Sequence, residues 1–258
     1  MKTQRVGDHE LAYEDKGEGN TIILLHGFCG SSKYWDKIVP LLDTHRVITI
    51  DLRGHGESAV IEAGFSIEDL AKDINYFLDQ KQLDQVYLLG HSFGGYVTLA
   101  FAELFPEKLK GFGLIHSTPY ADTFEAKENR TKAIDAINGH GLPLYIDDLV
   151  QNLFSPYQTE ELKEEIQFAR EIGYNTNPVG AKESLKAMRN RVERLQVVLN
   201  SNVPVLLVAG KHDQIIPNNR TFTDNGPMMT EVLLENSGHM GMMEEPEVLA
   251  MEIKNFAR

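Results

Sequence analysis

The hexapeptide Gly90-His91-Ser92-Phe93-Gly94-Gly95 constrains this chain more than any other feature. It follows the apolar run Val86-Tyr87-Leu88-Leu89 and opens the helical pattern Tyr96–Phe101. That is G-x-S-x-G between a strand and a helix, where a sharp turn lifts a serine hydroxyl above the sheet edge. Glycine at positions 90 and 94 leaves room for neighbouring backbone. The Phe93 N–H then sits at a helix N-terminus, suited to stabilising a developing oxyanion.

The remaining pattern fits a parallel sheet. Short apolar runs rich in β-branched residues occur at Thr21–His26, Arg46–Asp51, Gln85–Gly90, Leu109–His116, Val203–Ala209 and Glu231–Leu234. Runs without polar alternation suit strands buried on both faces. Helical segments at Ser32–Leu42, Ser66–Gln80 and Phe93–Phe105 separate most of them, so helices are expected on both faces of the sheet. Gln4–Glu14 reads as two short strands turning at Gly7-Asp8.

Between Thr118 and about Asn200 the strand signal stops. Helical segments are predicted at Asp122–Asn138, Leu144–Leu153, Thr159–Ile172 and Val179–Asn200, divided by glycine- and proline-containing turns. Roughly 80 residues of helix between two buried strands exceed an ordinary crossover and read as an inserted cap. The expected division is a core of 1–117 and 201–258 with a helical cap of 118–200.

A serine needs a base to become a nucleophile, and the base needs an orienting acid. Both stand late in the chain. Asp213 follows the run Val205–Gly210, at the strand edge where open α/β sheets place their sites. His239 lies in the loop after the next strand, in Ser237-Gly238-His239. The predicted catalytic residues are therefore Ser92, Asp213 and His239, with backbone N–H groups of Phe28 and Phe93 as the oxyanion hole. His212 is the nearest competing base, but its side chain diverges from that of Asp213. His26 is expected to anchor its loop, and Cys29 to line the pocket as a small side chain. Ser117, Thr118, Phe124 and Arg130 stand where substrate could reach, though capping, core packing and a solvated charge are their ordinary roles.

Five motifs together resemble the α/β-hydrolase superfamily along essentially the whole chain. They are His26-Gly27-Phe28, Asp51–Ser58, Gly90–Gly95, Gly210–Asp213 and Gly238-His239. The resemblance implies a mostly parallel eight-stranded sheet flanked by helices, with the N-terminal hairpin at its antiparallel edge and a helical cap inserted after the sixth strand. It also implies a structural role for Asp51, Arg53 and His55 beneath the site wall. Dehalogenases and epoxide hydrolases of this fold carry aspartate at the elbow, so Ser92 argues against both. Haloperoxidase-like esterases, lactonases and carbon–carbon bond hydrolases all keep Ser-Asp-His.

The expected function is cleavage of a small or medium acyl ester through an acyl-enzyme. The alternatives are a carbon–carbon bond hydrolase or lactonase on the same triad, or a hydrolase-fold ligand receptor with little turnover. No cofactor or metal is expected, since no histidine–carboxylate spacing typical of a metal site stands out. A net charge of −13 disfavours nucleic acid, because phosphate binding needs facing Lys and Arg. No stretch suits membrane insertion. One cysteine forbids an internal disulfide, and polar sequence after Met1–Arg5 shows no secretory signal, so a cytoplasmic setting and a small-molecule substrate are expected.

Overall fold

The computed structural model describes residues 1–258 except 61, 224, 225 and 227. In chain order the strands are β1 (Lys2–Val6), β2 (His9–Lys16), β3 (Thr21–Leu25), β4 (Arg46–Ile50), β5 (Val86–His91), β6 (Leu109–Ile115), β7 (Val205–Gly210) and β8 (Met229–Leu234). They form one eight-stranded sheet in the order β1-β2-β4-β3-β5-β6-β7-β8. β1 and β2 are antiparallel, β2 meets β4 antiparallel, and every other pairing is parallel. This is the α/β-hydrolase architecture that the motifs imply.

The apolar runs explain the sheet. Every residue of β3, β5 and β7 is buried, as strands covered by helices on both faces must be. Each fully buried aliphatic side chain contributes about 1.5–3 kcal/mol. The helices are α1 (Ile67–Gln80), α2 (Phe93–Leu104), α3 (Phe124–His140), α4 (Leu142–Gln151), α5 (Lys163–Tyr174), α6 (Pro178–Asn190), α7 (Leu195–Leu199), α8 (Asn218–Thr221), α9 (Gly241–Glu244) and α10 (Pro246–Phe256). A capping box starts α1, with Ser66 and Asp69 satisfying each other's backbone N–H.

Two helical expectations change. In place of a helix over Ser32–Leu42 there are two short 3-10 turns, Ser32–Trp35 and Val39–Leu41. Pro40 lacks an N–H and disfavours helical backbone before it, while the fully buried Trp35 and Ile38 anchor the segment. The segment Val179–Asn200 is two helices, α6 and α7, interrupted at Arg191–Arg194. There the Arg194 N–H donates to the Pro119 carbonyl at 2.7 Å, and its side chain pairs with Glu103 and Glu68. Those long-range partners outweigh continued helix.

Helices α3–α7 follow β6 and precede β7, with α3 against α6 and α4 against α5. Their apolar side chains divide unevenly between core and surface. Phe154 is fully buried, whereas Phe124 is 79% exposed. Among the described residues no helix is long and apolar enough to cross a membrane.

Candidate active site

Ser92 adopts φ 50° and ψ −111°, a left-handed conformation that a non-glycine residue rarely holds. Such a residue costs about 1–3 kcal/mol and persists only where its surroundings over-determine it. Here the Ser92 N–H donates to the Ile115 carbonyl at 2.9 Å, and Ser117 Oγ donates to the Ser92 carbonyl at 2.8 Å. The end of β6 thus pins the elbow from below. A Cβ at Gly90 would lie 2.2 Å from the Gly94 carbonyl oxygen, and one at Gly94 2.7 Å from those of Leu25 and His26. Only glycine lets the strand, the turn and the β3 loop pass so closely.

Asp213 and His239 meet although 26 residues separate them. The His239 Nδ1–H donates to Asp213 Oδ2 at 2.7 Å, while the N–H groups of Ile215 and Ile216 donate to Oδ1 at 2.8 and 2.9 Å. Burial works against the Asp213 charge, but His239 and His116 outweigh it and hold the carboxyl far below the usual range. This fixes the tautomer of His239 and leaves Nε2 free for the cavity that Ser92 and His239 both line.

The cavity measures about 270 Å³, near the lower end for small-molecule sites. Phe28 belongs to its wall. Among the described residues, the Phe28 N–H has no protein acceptor, and Phe93 begins α2, where N–H groups lack intrahelical partners. A Cβ at Gly27 would meet Ser92 Cβ at 3.4 Å, so this loop lies directly against the elbow. His26 anchors it: Nδ1 donates to the Gly27 carbonyl at 2.7 Å and Nε2 accepts the Leu52 N–H at 2.9 Å. Below, the Asp51 carboxylate accepts N–H groups of Ser32 and Glu57 at 2.6 and 2.9 Å. Arg53 forms a two-pronged pair with Asp73.

Other candidates fall elsewhere. Cys29 was expected on the pocket wall, but it is fully buried beside the wall and not part of it. Burial pushes its thiol up strongly, so it is inert. His212 points away and packs edge-on against Tyr157. Thr118 and Arg130 line the cavity, whereas Phe124 does not.

Two residues unmarked in the sequence also organise the site. The Glu244 carboxylate accepts the N–H groups of Gly238 and Met240 at 2.9 Å and that of Ser155 at 2.8 Å. It therefore ties the His239 loop to α9 and to the end of the α4 region. His116, fully buried at the end of β6, places Nδ1 3.4 Å from Asp213 Oδ2. The spacing Gly238…Glu244 is a local signal that could have pointed to Glu244; nothing in sequence points to His116.

His116, Asp213 and His239 form one compact group of metal-ligand types among the described residues. Its chemistry does not suit an ion. His116 Nε2 accepts the Gly241 N–H at 3.2 Å, so the proton sits on Nδ1, the nitrogen facing Asp213. A protonated nitrogen cannot ligate a metal.

Comparisons with known proteins agree with this fold. The family described as alpha/beta hydrolase fold matches residues 20–246. A thermophilic esterase from Thermogutta terrifontis, solved with malate bound, superposes with TM-score 0.89 at 29% identity, covering 96% of this chain and 92% of that one. The enol-lactonase from Burkholderia xenovorans LB400 gives TM-score 0.90 at 20% identity over 99% of each chain, a likeness that shows the fold alone. The dihydrolipoyllysine-residue acetyltransferase component of the acetoin cleaving system of Pseudomonas putida is 29% identical over 95% of this chain. This chain spans only 66% of that longer protein.

Proposed function

Since the chain belongs to the alpha/beta hydrolase fold family, we propose that it is a serine hydrolase that cleaves a small or medium acyl ester through an acyl-enzyme. One observation carries the reading: the 2.7 Å hydrogen bond that orients His239 on Asp213, with His239 and Ser92 lining the same cavity. The similar esterase from Thermogutta terrifontis supports the ester class.

In this mechanism His239 Nε2 takes the Ser92 hydroxyl proton as Oγ attacks the ester carbonyl. The Phe28 and Phe93 N–H groups donate to the oxyanion. His239 returns the proton to the departing alcohol. Water then attacks the acyl-enzyme, giving its proton to His239, and the acid leaves as Ser92 is regenerated. Asp213 keeps its charge throughout and steadies the imidazolium. Residues 118–200 act as a cap that bounds the acyl pocket. The cavity volume of about 270 Å³ favours short acyl chains over lipids.

The test is steady-state turnover of p-nitrophenyl esters of graded chain length by the native protein and by Ser92→Ala. Sustained turnover by the native protein, lost in the variant and falling with longer chains, is expected. Equal rates for both proteins would overturn the reading.

A further inference from the structure

The cavity wall is positive, although the chain as a whole carries a net charge of −13. Arg130, Arg191 and Arg220 line it, and Asp122 is its one carboxylate among the described residues. Arg191 is employed at both terminal nitrogens, though its buried Nε has no partner among the described residues. Its Nη1 donates to Asp122 Oδ1 at 2.6 Å and to the Met188 carbonyl at 2.9 Å, its Nη2 donates to the Tyr120 carbonyl at 3.0 Å, and Cζ lies 3.9 Å above the Tyr96 ring.

Arg130 is not. Only Nε reaches Asp122, at 3.2 Å to Oδ2, and neither Nη hydrogen-bonds to a described residue. Its side chain is 26% exposed and faces the cavity. The hydroxyls of Tyr96 and Tyr145 share that wall and likewise have no hydrogen-bond partner among the described residues. Burial pushes the Tyr145 phenol up to about 12, so it remains a donor. One aspartate shared by two arginines leaves an uncompensated guanidinium fork beside two free phenols. In a partly apolar cavity such a group loses part of its hydration, which favours an anion that meets it.

Building on the hydrolase reading above, we infer that Arg130, with Tyr96 and Tyr145, holds a carboxylate on the acyl chain of the substrate, so that the preferred esters are half-esters of dicarboxylic acids. A planar carboxylate matches the two free Nη donors of a guanidinium. Asp122 holds the fork at Nε, and a neutral acyl chain leaves its two Nη groups without a charged partner.

The test compares monomethyl succinate, glutarate and adipate with methyl butyrate, valerate and hexanoate, by methanol release. The native protein is expected to favour the half-ester of at least one pair in kcat/KM. For Arg130→Gln that preference ratio should fall roughly 10- to 100-fold, the worth of a charged hydrogen bond; Arg130→Lys should recover part of it. Glutarate should also raise the melting temperature of the native protein and not that of Arg130→Gln. Hydrolysis that depends on Ser92 but shows no half-ester preference, with no glutarate shift, overturns this inference and leaves the hydrolase reading intact. So does a shift with inorganic phosphate but none with glutarate. If Ser92→Ala hydrolyses every ester as fast as the native protein, the hydrolase reading fails, and the glutarate shift alone decides whether the carboxylate site exists.

Discussion

His116 Nδ1 lies 3.4 Å from Asp213 Oδ2, the same oxygen that His239 Nδ1 reaches at 2.7 Å. One carboxylate oxygen thus faces two imidazoles and hydrogen-bonds to that of His239. The longer contact sets a second imidazole against the carboxylate that orients the proposed base. His116→Phe removes it while keeping a planar aromatic ring, so more negative charge faces His239. The acid limb of the kcat/KM profile should move to higher pH, with a stability loss of about 1–3 kcal/mol from the unpaired Gly241 N–H. An unmoved limb in a folded variant would deny His116 any role in positioning.

Asp213→Asn keeps the shape but presents an amide to His239 Nδ1, which favours the wrong tautomer. A loss in kcat on the order of 10³- to 10⁴-fold is expected, with circular dichroism unchanged. Activity within tenfold of native would place the orienting acid elsewhere.

Glu244 acts further out. Glu244→Ala leaves the N–H groups of Gly238, Met240 and Ser155 without their acceptor. The His239 loop should loosen, giving faster amide exchange over residues 237–241 and a kcat lower by roughly tenfold, about the worth of one charged hydrogen bond. Unchanged exchange would show that the loop is held by its other contacts.

Backbone crowding at the elbow makes a contrasting pair. Gly94→Ala pushes a Cβ to 2.7 Å from two carbonyl oxygens and should cost about 1–3 kcal/mol or more. Gly139→Ala, near the end of α3, meets nothing within 4 Å and should stabilise by about 0.4–1 kcal/mol. Denaturant midpoints of the two variants that move in the same direction would contradict this account.

Acid should unfold the protein early. Burial pulls His26 down to about 4, and burial followed by the nearby His26 pulls His55 down to about 3. Both are neutral when folded, whereas the unfolded chain takes up their protons near the ordinary value of 6.5. Their contribution is therefore complete above pH 6.5 and is lost as pH falls through the folded values, at roughly 1.4 kcal/mol per histidine per pH unit. Urea midpoints should drop steadily from pH 6.5 to 4.5, less steeply for His55→Asn. A flat midpoint over that range would refute the assignment.

The strands, the elbow and the chain order Ser92, Asp213, His239 are legible in the sequence because each is written in a few consecutive residues. Short apolar runs rich in β-branched residues point to buried strands, and a serine between Gly90 and Gly94, after such a run and before a helical pattern, points to a tight turn. The limits of that reading are just as local. Pro40 broke a helix that periodicity had suggested, and Arg191–Arg194 left helical backbone for partners more than 60 residues away. Cys29 adjoins Phe28 in sequence yet, unlike it, does not line the cavity.

The tertiary structure alone decided which distant side chains share one space. His116 meets Asp213 across 97 residues because β6 and β7 are neighbours in the sheet. Arg130 and Arg191 come to one aspartate because α3 packs on α6. No local pattern encodes such pairings, since charge and hydrogen bonding act through space, and the distances are set only when the whole core has closed.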